Sequence, residues 1–452
     1  MSEARKGNLY KIERNLLLAA FALTGFGHYF RRISLPLEYS TFLIFVVLVL
    51  QIISGTFRFP KFLFYIISFI IIQTFIINPS NLSDPRVGSH FIGLILLALS
   101  LFSFVSYYRN NLYDFAINYY KLVYYISLFS IFQIAIFLLF GISIIPQNFI
   151  TGQLPTGSPV FIPEVLGILP RNLGLSSEPA NFSYILIPGV YLAISQLFTK
   201  ELFVANPKRY AWIILIAMVL TFSLVAYFGI LLSALFLLKE KIFKLSVRII
   251  YPITLLLVLI YGIYASGVGE KFISLVKMGN EVSDNRMETH SYTAFALISN
   301  VMVVIESQKE NHFIGSGLNT HLYNYDKYIY TIFEHEQVSL ELNKEGAGSI
   351  FLRTLSEFGI PGLLALFIFF IRFKLKRGVN FSKYQIINEM ALVTILLFCT
   401  RSGHYTNITF LIFGAIYYFS YQVNKTQSSR LVNKEIPPSN YSLLYPEPYV
   451  KW

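Results

Sequence analysis

The sequence predicts an all-α, polytopic integral membrane protein with about twelve transmembrane helices and a large external loop. Of its 452 residues, 55% are hydrophobic and only 13% are charged, whereas a soluble domain carries about 25% charged residues. Apolar runs recur along the whole chain, and each is close to the roughly 20 residues that span a bilayer as a helix. These observations exclude a soluble globular protein.

Twelve apolar segments account for most of the chain. They lie near 15–30, 36–54, 62–78, 89–107, 119–140, 182–198, 210–221, 223–238, 249–266, 351–371, 385–400 and 405–421. The basic N-terminus shows no small-residue cleavage site and predicts a retained anchor rather than a signal peptide. The single cysteine, Cys399, excludes an internal disulfide and a CxxC metal or redox site.

The stretch 210–238 decides the orientation of the chain, because it is either one long helix or two short ones. Two helices that meet at 221–223 put 24 of the 36 lysines and arginines on the cytoplasmic side. One helix would instead move the basic loops 239–248 and 372–384 outside. The positive-inside rule therefore favours two helices, with both termini in the cytoplasm. Because the basic residues are sorted by membrane side, the net charge of +12 does not indicate a nucleic-acid partner.

Three regions follow from this topology. Residues 1–140 form an N-terminal membrane bundle of five spans, and 141–421 form a catalytic membrane region with external loops at 141–181 and 267–350. The polar segment 422–452 is expected to be a disordered cytoplasmic tail. All seven histidines fall at or beyond the outer boundary. The chemistry is therefore expected on the external face.

Arg171 and Glu178 stand out just ahead of the sixth apolar segment. Arg171 is the only basic residue of the external segment 141–181, and charged groups at a membrane boundary commonly have a function because their desolvation is costly. An equally good interpretation of Glu178 is a helix start, in which Ser177 is the cap and Glu178 complements the helix dipole. Arg171 in turn has an alternative role at lipid phosphates.

Two further arginines are candidates for the same external site. Arg401 interrupts an apolar stretch between the last two spans, where a stray positive charge is costly, and this favours a function. Arg286 is also a candidate, although pairing with the acidic neighbours Asp284 and Glu288 is the alternative. The external histidines have no HxxxH or similar spacing, so no metal site and no cofactor are predicted.

Three motifs follow one another on the external face. The first is R..G...EP at 171–179, the second is Arg286 leading to a GxG turn within 312–318, and the third is LxxLxExGxxG at 352–362. In this order they resemble the external segments of bacterial O-antigen polymerases and ligases. The resemblance covers about 165–365, and it extends more weakly to the segment around Arg401.

The resemblance implies a membrane glycosyltransferase that moves a growing glycan from one undecaprenyl diphosphate onto the sugar of another lipid-linked repeat. It places the active face outside the bacterial inner membrane. The expected partners are undecaprenyl diphosphate-linked oligosaccharides, membrane lipids, a chain-length regulator and a flippase. The candidate catalytic residues are Glu178, Arg171, Arg286 and Arg401, and the candidate substrate-binding residues are His404, Arg353, His290 and His335.

In this interpretation the arginines neutralise the donor diphosphate and Glu178 takes the proton of the acceptor hydroxyl. A helix N-terminus would make Glu178 a poorer base, so a pure ion pair with Arg171 is an alternative, and His290, His335 or His404 are alternative bases.

One departure from the family pattern separates two activities. In the ligase branch a His-Asn pair opens the last motif, and counting back from Glu357 places Gly348-Ser349 at that position. The missing histidine favours a polymerase over a ligase. A lipid-linked oligosaccharide flippase is a further alternative, but alternating access needs cationic residues deep in a central cavity. A non-catalytic envelope scaffold would not explain Arg401.

Overall fold

The computed structural model describes residues 3–24, 39–141, 171–176, 178–198, 203–238, 292–311, 313–332, 344, 346–376 and 383–432. Thirteen α-helices are found there: α1 (Glu3–Leu23), α2 (Tyr39–Ile53), α3 (Lys61–Ile71), α4 (Pro85–Tyr107), α5 (Leu112–Phe140), α6 (Pro179–Phe198), α7 (Pro207–Val219), α8 (Leu224–Leu238), α9 (Tyr292–Glu310), α10 (His321–Ile332), α11 (Ile350–Arg372), α12 (Lys383–Arg401) and α13 (Ile408–Val432). No described residue lies in a strand, so the predicted all-α class is confirmed for this part of the chain.

Four of the described helical segments are long and apolar enough to cross a membrane: Pro85–Tyr107, Arg109–Phe140, Pro179–Phe198 and Ile350–Arg372. Three shorter ones are apolar as well: Tyr39–Ile53, Lys61–Ile76 and Leu224–Leu237. The predicted ninth span, 249–266, lies outside the described residues, so the total of twelve spans stays a prediction.

Helix α6 is the centre of the bundle. Every residue from Phe182 to Gln196 is buried, and the helix packs against α5, α7, α8 and α12. A helix that is apolar on all sides is stable only when other helices cover all of its faces. The segment that begins with Glu178 is therefore held at the end of the most enclosed helix.

Helices α7 and α8 reverse the chain between Val219 and Leu224. The Thr221 hydroxyl lies 3.4 Å from that of Ser183, near the start of α6. Farther along α8, a side chain at Gly229 would meet Ile187 of α6. Because α7 starts beside the end of α6 and α8 then follows α6 in its own direction, the stretch 210–238 is two antiparallel helices, as the loop charges predict.

The described loops gather at two ends of the bundle. At one end, which we call the basic end, ends of α3, α5, α8, α11 and α12 lie close together. There the Lys383 ammonium lies 4.4 Å from the centre of the Tyr113 ring, and the Lys374 ammonium lies 5.1 Å from the centre of the Phe236 ring. The other, the loop end, brings together the described parts of the predicted external segments. Which end faces the cytoplasm stays a prediction.

Several boundaries differ from those predicted. Helix α6 begins at Pro179, so Glu178 precedes the helix and its carbonyl accepts from Phe182 N at 3.0 Å. Helix α13 continues to Val432, into the segment 422–452 predicted to be disordered. The polar loop 267–350 contains helices α9 and α10. Polar composition indicates exposure, but it does not exclude helices that pack against a membrane bundle.

Candidate active site at the loop end

The GxG turn is packed against a break in α11. At Gly359 the helix has φ 63° and ψ −158°, which is disfavoured for residues with a side chain. Ile360 N donates to Phe313 O at 2.9 Å, and Gly317 N donates to Glu357 O at 2.7 Å. A Cβ at Gly359 would lie only 2.1 Å from Phe313 O. The GxG and ExG motifs are therefore two halves of one backbone-to-backbone contact.

The N-terminal bundle holds the other side of this turn. Helix α3 is followed directly by a π-helical turn, Ile72–Ile76, a rare element that is frequent at functional sites. Leu318 N donates to Thr74 Oγ1 at 3.0 Å. Asn81 Nδ2 donates to Ser316 O at 2.9 Å and to Thr74 O at 3.0 Å. Residues far outside the recognised motifs, Thr74 and Asn81, thus hold the GxG turn by hydrogen bonds.

Arg353 lies at the centre of a buried polar cluster. Its Nε donates to Glu357 Oε1 at 2.8 Å, and Nη2 donates to Asn319 Oδ1 at 2.8 Å. Nη1 donates to Gly403 O at 3.0 Å, and the guanidinium lies 4.4 Å from the centre of the Tyr405 ring. The Tyr405 hydroxyl donates to the second carboxylate oxygen of Glu357. We call Arg353, Glu357, Asn319 and Tyr405 the inner cluster.

His321 joins helix α10 to α9 and α11 beside this cluster. Its Nε2 lies 2.9 Å from Asn300 Oδ1 and its Nδ1 lies 3.0 Å from Ser356 Oγ. An amide oxygen only accepts, so Nε2 carries the proton and Nδ1 accepts from the serine hydroxyl. Burial, with a further contribution from the charge of Arg353, lowers the pKa of His321 to about 3. His321 is therefore neutral and structural at ordinary pH.

Ser349, which follows Gly348 at the predicted position of the ligase histidine, caps α11. Its Oγ accepts from Leu352 N at 3.4 Å and donates to Cys399 O at 2.8 Å. Nearby, a Cβ at Gly403 would lie 1.6 Å from Gly346 O, so a side chain there would separate the two loops. The start of α11 is thus held against the end of α12 by a hydrogen bond and a close backbone contact.

Arg171 lies at the turn between α7 and α8. Its Nη2 donates to Phe222 O at 3.0 Å and its Nε to Thr221 O at 3.4 Å. Basic side chains favour the carbonyl end of a helix, and these contacts place Arg171 just after α7. Burial lowers the pKa of the guanidinium, while Tyr227 and Glu178 act in the opposite direction.

Glu178 and Arg401 both lie near Tyr184 at the loop end. Glu178 is exposed, and Arg401 is half-buried as the last residue of α12. Tyr184 interacts electrostatically with both of them, and Arg171 interacts electrostatically with Glu178. We call Arg171, Glu178 and Arg401 the rim cluster. The chain segment 402–405 connects it to the inner cluster.

The structure places five of the eight candidate residues at the loop end: Arg171, Glu178, Arg401, Arg353 and His404. The other three, Arg286, His290 and His335, lie outside the described residues. Sequence reasoning missed the roles of Glu357, Tyr405 and His321. The i, i+4 spacing of Arg353 and Glu357 within an apolar run was the available signal, because such a pair shares one helix face.

An apolar groove leads to the inner cluster through the bundle. Its volume is about 520 Å³, and α3, α4, α11 and α13 line it. One stripe of α11, from Ile350 through Gly362 to Phe373, forms a wall along the whole helix. Leu318 and Tyr405 line the part of the groove nearest the loop end. A chain in this groove would meet apolar surface along the bundle and polar groups only at the loop end.

Residues 210–367 match the family described as O-antigen ligase. The match covers about a third of the chain, and it includes the GxG turn, Arg353, Glu357 and the break at Gly359. This segment is therefore similar to the O-antigen ligase family. No curated protein and no solved structure matches the chain.

The family segment contains most of the inner cluster but none of the rim cluster. Arg171, Glu178 and Arg401 lie outside the match. With its apolar helices, the protein is an integral membrane protein with a segment that matches the O-antigen ligase family. Among the described residues, no group of three or more His, Cys, Asp or Glu side chains could hold a metal ion.

Proposed function

We propose that the protein is a surface-polysaccharide polymerase of the bacterial inner membrane. It transfers a growing glycan from undecaprenyl diphosphate to a hydroxyl of a lipid-linked oligosaccharide repeat on the external face. The bond between the sugar anomeric carbon and the phosphate oxygen breaks, and a glycosidic bond to the acceptor oxygen forms. Undecaprenyl diphosphate leaves as an anion, and the acceptor proton passes to a base.

The rim cluster supports this chemistry. A diphosphate leaving group needs charge neutralisation more than protonation, and guanidinium groups supply it with strong, often bidentate hydrogen bonds. Arg171 and Arg401 are the described candidates, and Arg286 is the third. Glu178 is exposed near Arg171, so it is our first choice for the base that accepts the acceptor proton.

The apolar groove supports a polyprenyl substrate. Leu318 and Tyr405 line the groove, and Tyr405 is itself a member of the inner cluster. A chain lying in it would leave its diphosphate at the loop end, where the arginines are. The aromatic pairs Phe62–Phe369 and Phe69–Phe358, with ring centres 6.4 and 6.0 Å apart, bring α3 and α11 together along it.

One observation carries the choice of polymerase over ligase: Gly348-Ser349 stands in place of the ligase His-Asn pair, so that glycine replaces the histidine and Ser349 is used as a helix cap. The second candidate is an O-antigen ligase that transfers finished glycan to a lipid acceptor. The description of the matching family favours it. The third candidate function is a flippase, and no observation on the described residues specifically favours it.

Deletion of the gene distinguishes these activities by the surface glycan and its lipid-linked precursors. A polymerase loss converts a ladder of chain lengths into a single-repeat band that is still attached to its final acceptor. A ligase loss removes all attached glycan and leaves long chains on the carrier, and that result would overturn our choice. A flippase loss traps single repeats on the cytoplasmic side.

A further inference from the structure

The hydrogen bonds of Arg353 determine where a neighbouring histidine holds its proton. Besides Glu357 and Asn319, the guanidinium contacts Gly403 and His404 through one nitrogen, Nη1. Nη1 lies 3.0 Å from Gly403 O and 3.3 Å from His404 Nδ1. Nη1 thus contacts the backbone carbonyl of Gly403 and the ring of His404, two successive residues.

The chemistry of arginine fixes the direction of the second contact. A guanidinium has five N–H donors and no acceptor. His404 Nδ1 must therefore accept from Nη1, which requires that Nδ1 carries no proton. In the neutral ring the proton is then on Nε2. An imidazolium would place an N–H against an N–H and a second positive charge 3.3 Å from Nη1.

The inner cluster keeps this arrangement rigid. The Arg353 side chain is 2% exposed and that of Glu357 is 0% exposed. The carboxylate holds Nε, and the Tyr405 ring lies against the guanidinium. The His404 residue, by contrast, is exposed at the loop end. A buried and immobile arginine therefore orients an imidazole that faces the proposed substrate side.

We propose that Arg353 is a positioning residue that holds His404 as the neutral Nε2–H tautomer, so that His404 donates a hydrogen bond to an anionic oxygen of the substrate and is not the general base. The identity of that oxygen, a diphosphate oxygen of the donor, rests on the proposed function. The tautomer itself follows from the contact with Arg353. It leaves proton removal to another group, of which Glu178 is our first choice.

The tautomer can be measured without any activity. Protein labelled with ¹⁵N-histidine in lipid nanodiscs is compared with the His404→Gln variant, so that the difference spectrum gives the His404 signals. We expect a neutral ring with the proton on Nε2. A ring protonated on Nδ1, or an imidazolium at pH 7, overturns the proposal. Arg353→Gln should shift the His404 signals toward a mixture of the two neutral tautomers.

Two amide substitutions separate donor from base. The amide of glutamine reaches the place of Nε2, whereas that of asparagine reaches only the place of Nδ1. A donor role predicts that His404→Gln keeps polymerisation of a purified lipid-linked repeat within about tenfold of wild type. His404→Asn and His404→Ala should lose a further 10- to 100-fold, since a hydrogen bond to a charged group is removed.

A base role predicts instead that glutamine is as inactive as asparagine, because neither amide accepts a proton, and that result overturns the donor assignment. Lys327→Ala, on the exposed face of α10, is the matched control and should behave as wild type. If the wild-type protein polymerises nothing while the tautomer is as stated, the proposed function has failed and the role of Arg353 has not.

Discussion

The inner cluster and the rim cluster use the same side-chain chemistry in opposite ways. Arg353 and Glu357 are buried and bonded to each other, and their remaining contacts lie within the protein. Arg171 and Arg401 are only half-buried, and Glu178 is exposed. A charge whose bonds are saturated inside the protein holds loops together, whereas a charge at the surface remains able to meet a ligand. Loss of the first kind should destabilise the protein, and loss of the second should impair catalysis.

The largest effect is expected at the centre of the inner cluster. Glu357→Ala leaves the Arg353 charge buried and unpaired, and breaking such a pair costs about 3–5 kcal/mol. We expect a clear loss of folded, monodisperse protein in detergent and a lower unfolding temperature. Glu178→Ala is the matched carboxylate control and should unfold like wild type. Equal stability of the two variants would remove the distinction between the clusters.

The base of the rim cluster comes next. If Glu178 takes the acceptor proton, Glu178→Gln and Glu178→Ala should both lose about 10²–10⁴ in rate. The measurement is polymer formed from a lipid-linked repeat at matched protein level. Wild-type chain length from Glu178→Gln would show that the carboxylate only complements the start of α6, and it would remove Glu178 from the mechanism.

The rim arginines should affect the rate without affecting the fold. Arg401→Ala and Arg171→Ala each remove a group that stabilises developing charge, which typically costs about 10²–10³ in rate. Arg401→Lys should restore little if the contact is bidentate. Arg209→Ala, an exposed arginine at the basic end, is the control. Normal polymer from Arg401→Ala would mean that its charge has no part in the reaction.

Acid should act on the contacts that join α10 to α9 and α11 through His321. Burial and the charge of Arg353 lower its pKa from 6.5 to about 3, so the neutral ring stabilises the fold fully above pH 6.5. That contribution falls by about 1.4 kcal/mol per pH unit below 6.5 until the ring is protonated near pH 3. Unfolding at pH 7 and pH 5 should differ by about 2 kcal/mol more in wild type than in His321→Gln. An identical pH dependence would contradict the neutral assignment.

The smallest effect is expected at the start of α11. Ser349→Ala removes the cap of α11 and the bond to Cys399 O, and it should cost about 1 kcal/mol of stability. Ser349→Asp keeps the acceptor for Leu352 N and should recover part of this in thermal unfolding. Polymerisation should change little in either variant. A hundredfold loss in Ser349→Ala would mean that the hydroxyl acts in the reaction.

The sequence predicted the helical class and the two helices at 210–238 from local signals, and it singled out the rim residues as candidates. Hydrophobic length, loop charge and isolated arginines are all visible along the chain. The inner cluster was less accessible, because its contacts join residues far apart in sequence. Arg353 meets Gly403 some fifty residues later, and Thr74 meets Leu318 across more than two hundred. No spacing rule predicts such pairs.

The π-helical turn at Ile72–Ile76 also bears on how relatives of this protein can be recombined. Thr74 and Asn81 hold the GxG turn, yet they lie far before the family segment 210–367. A chimaera that exchanges only the segment from 142 onward would place the GxG turn of one protein against the residues at 74 and 81 of another. Exchanges intended to transfer glycan specificity should therefore move 72–84 together with 313–318, because these two segments are hydrogen-bonded to each other.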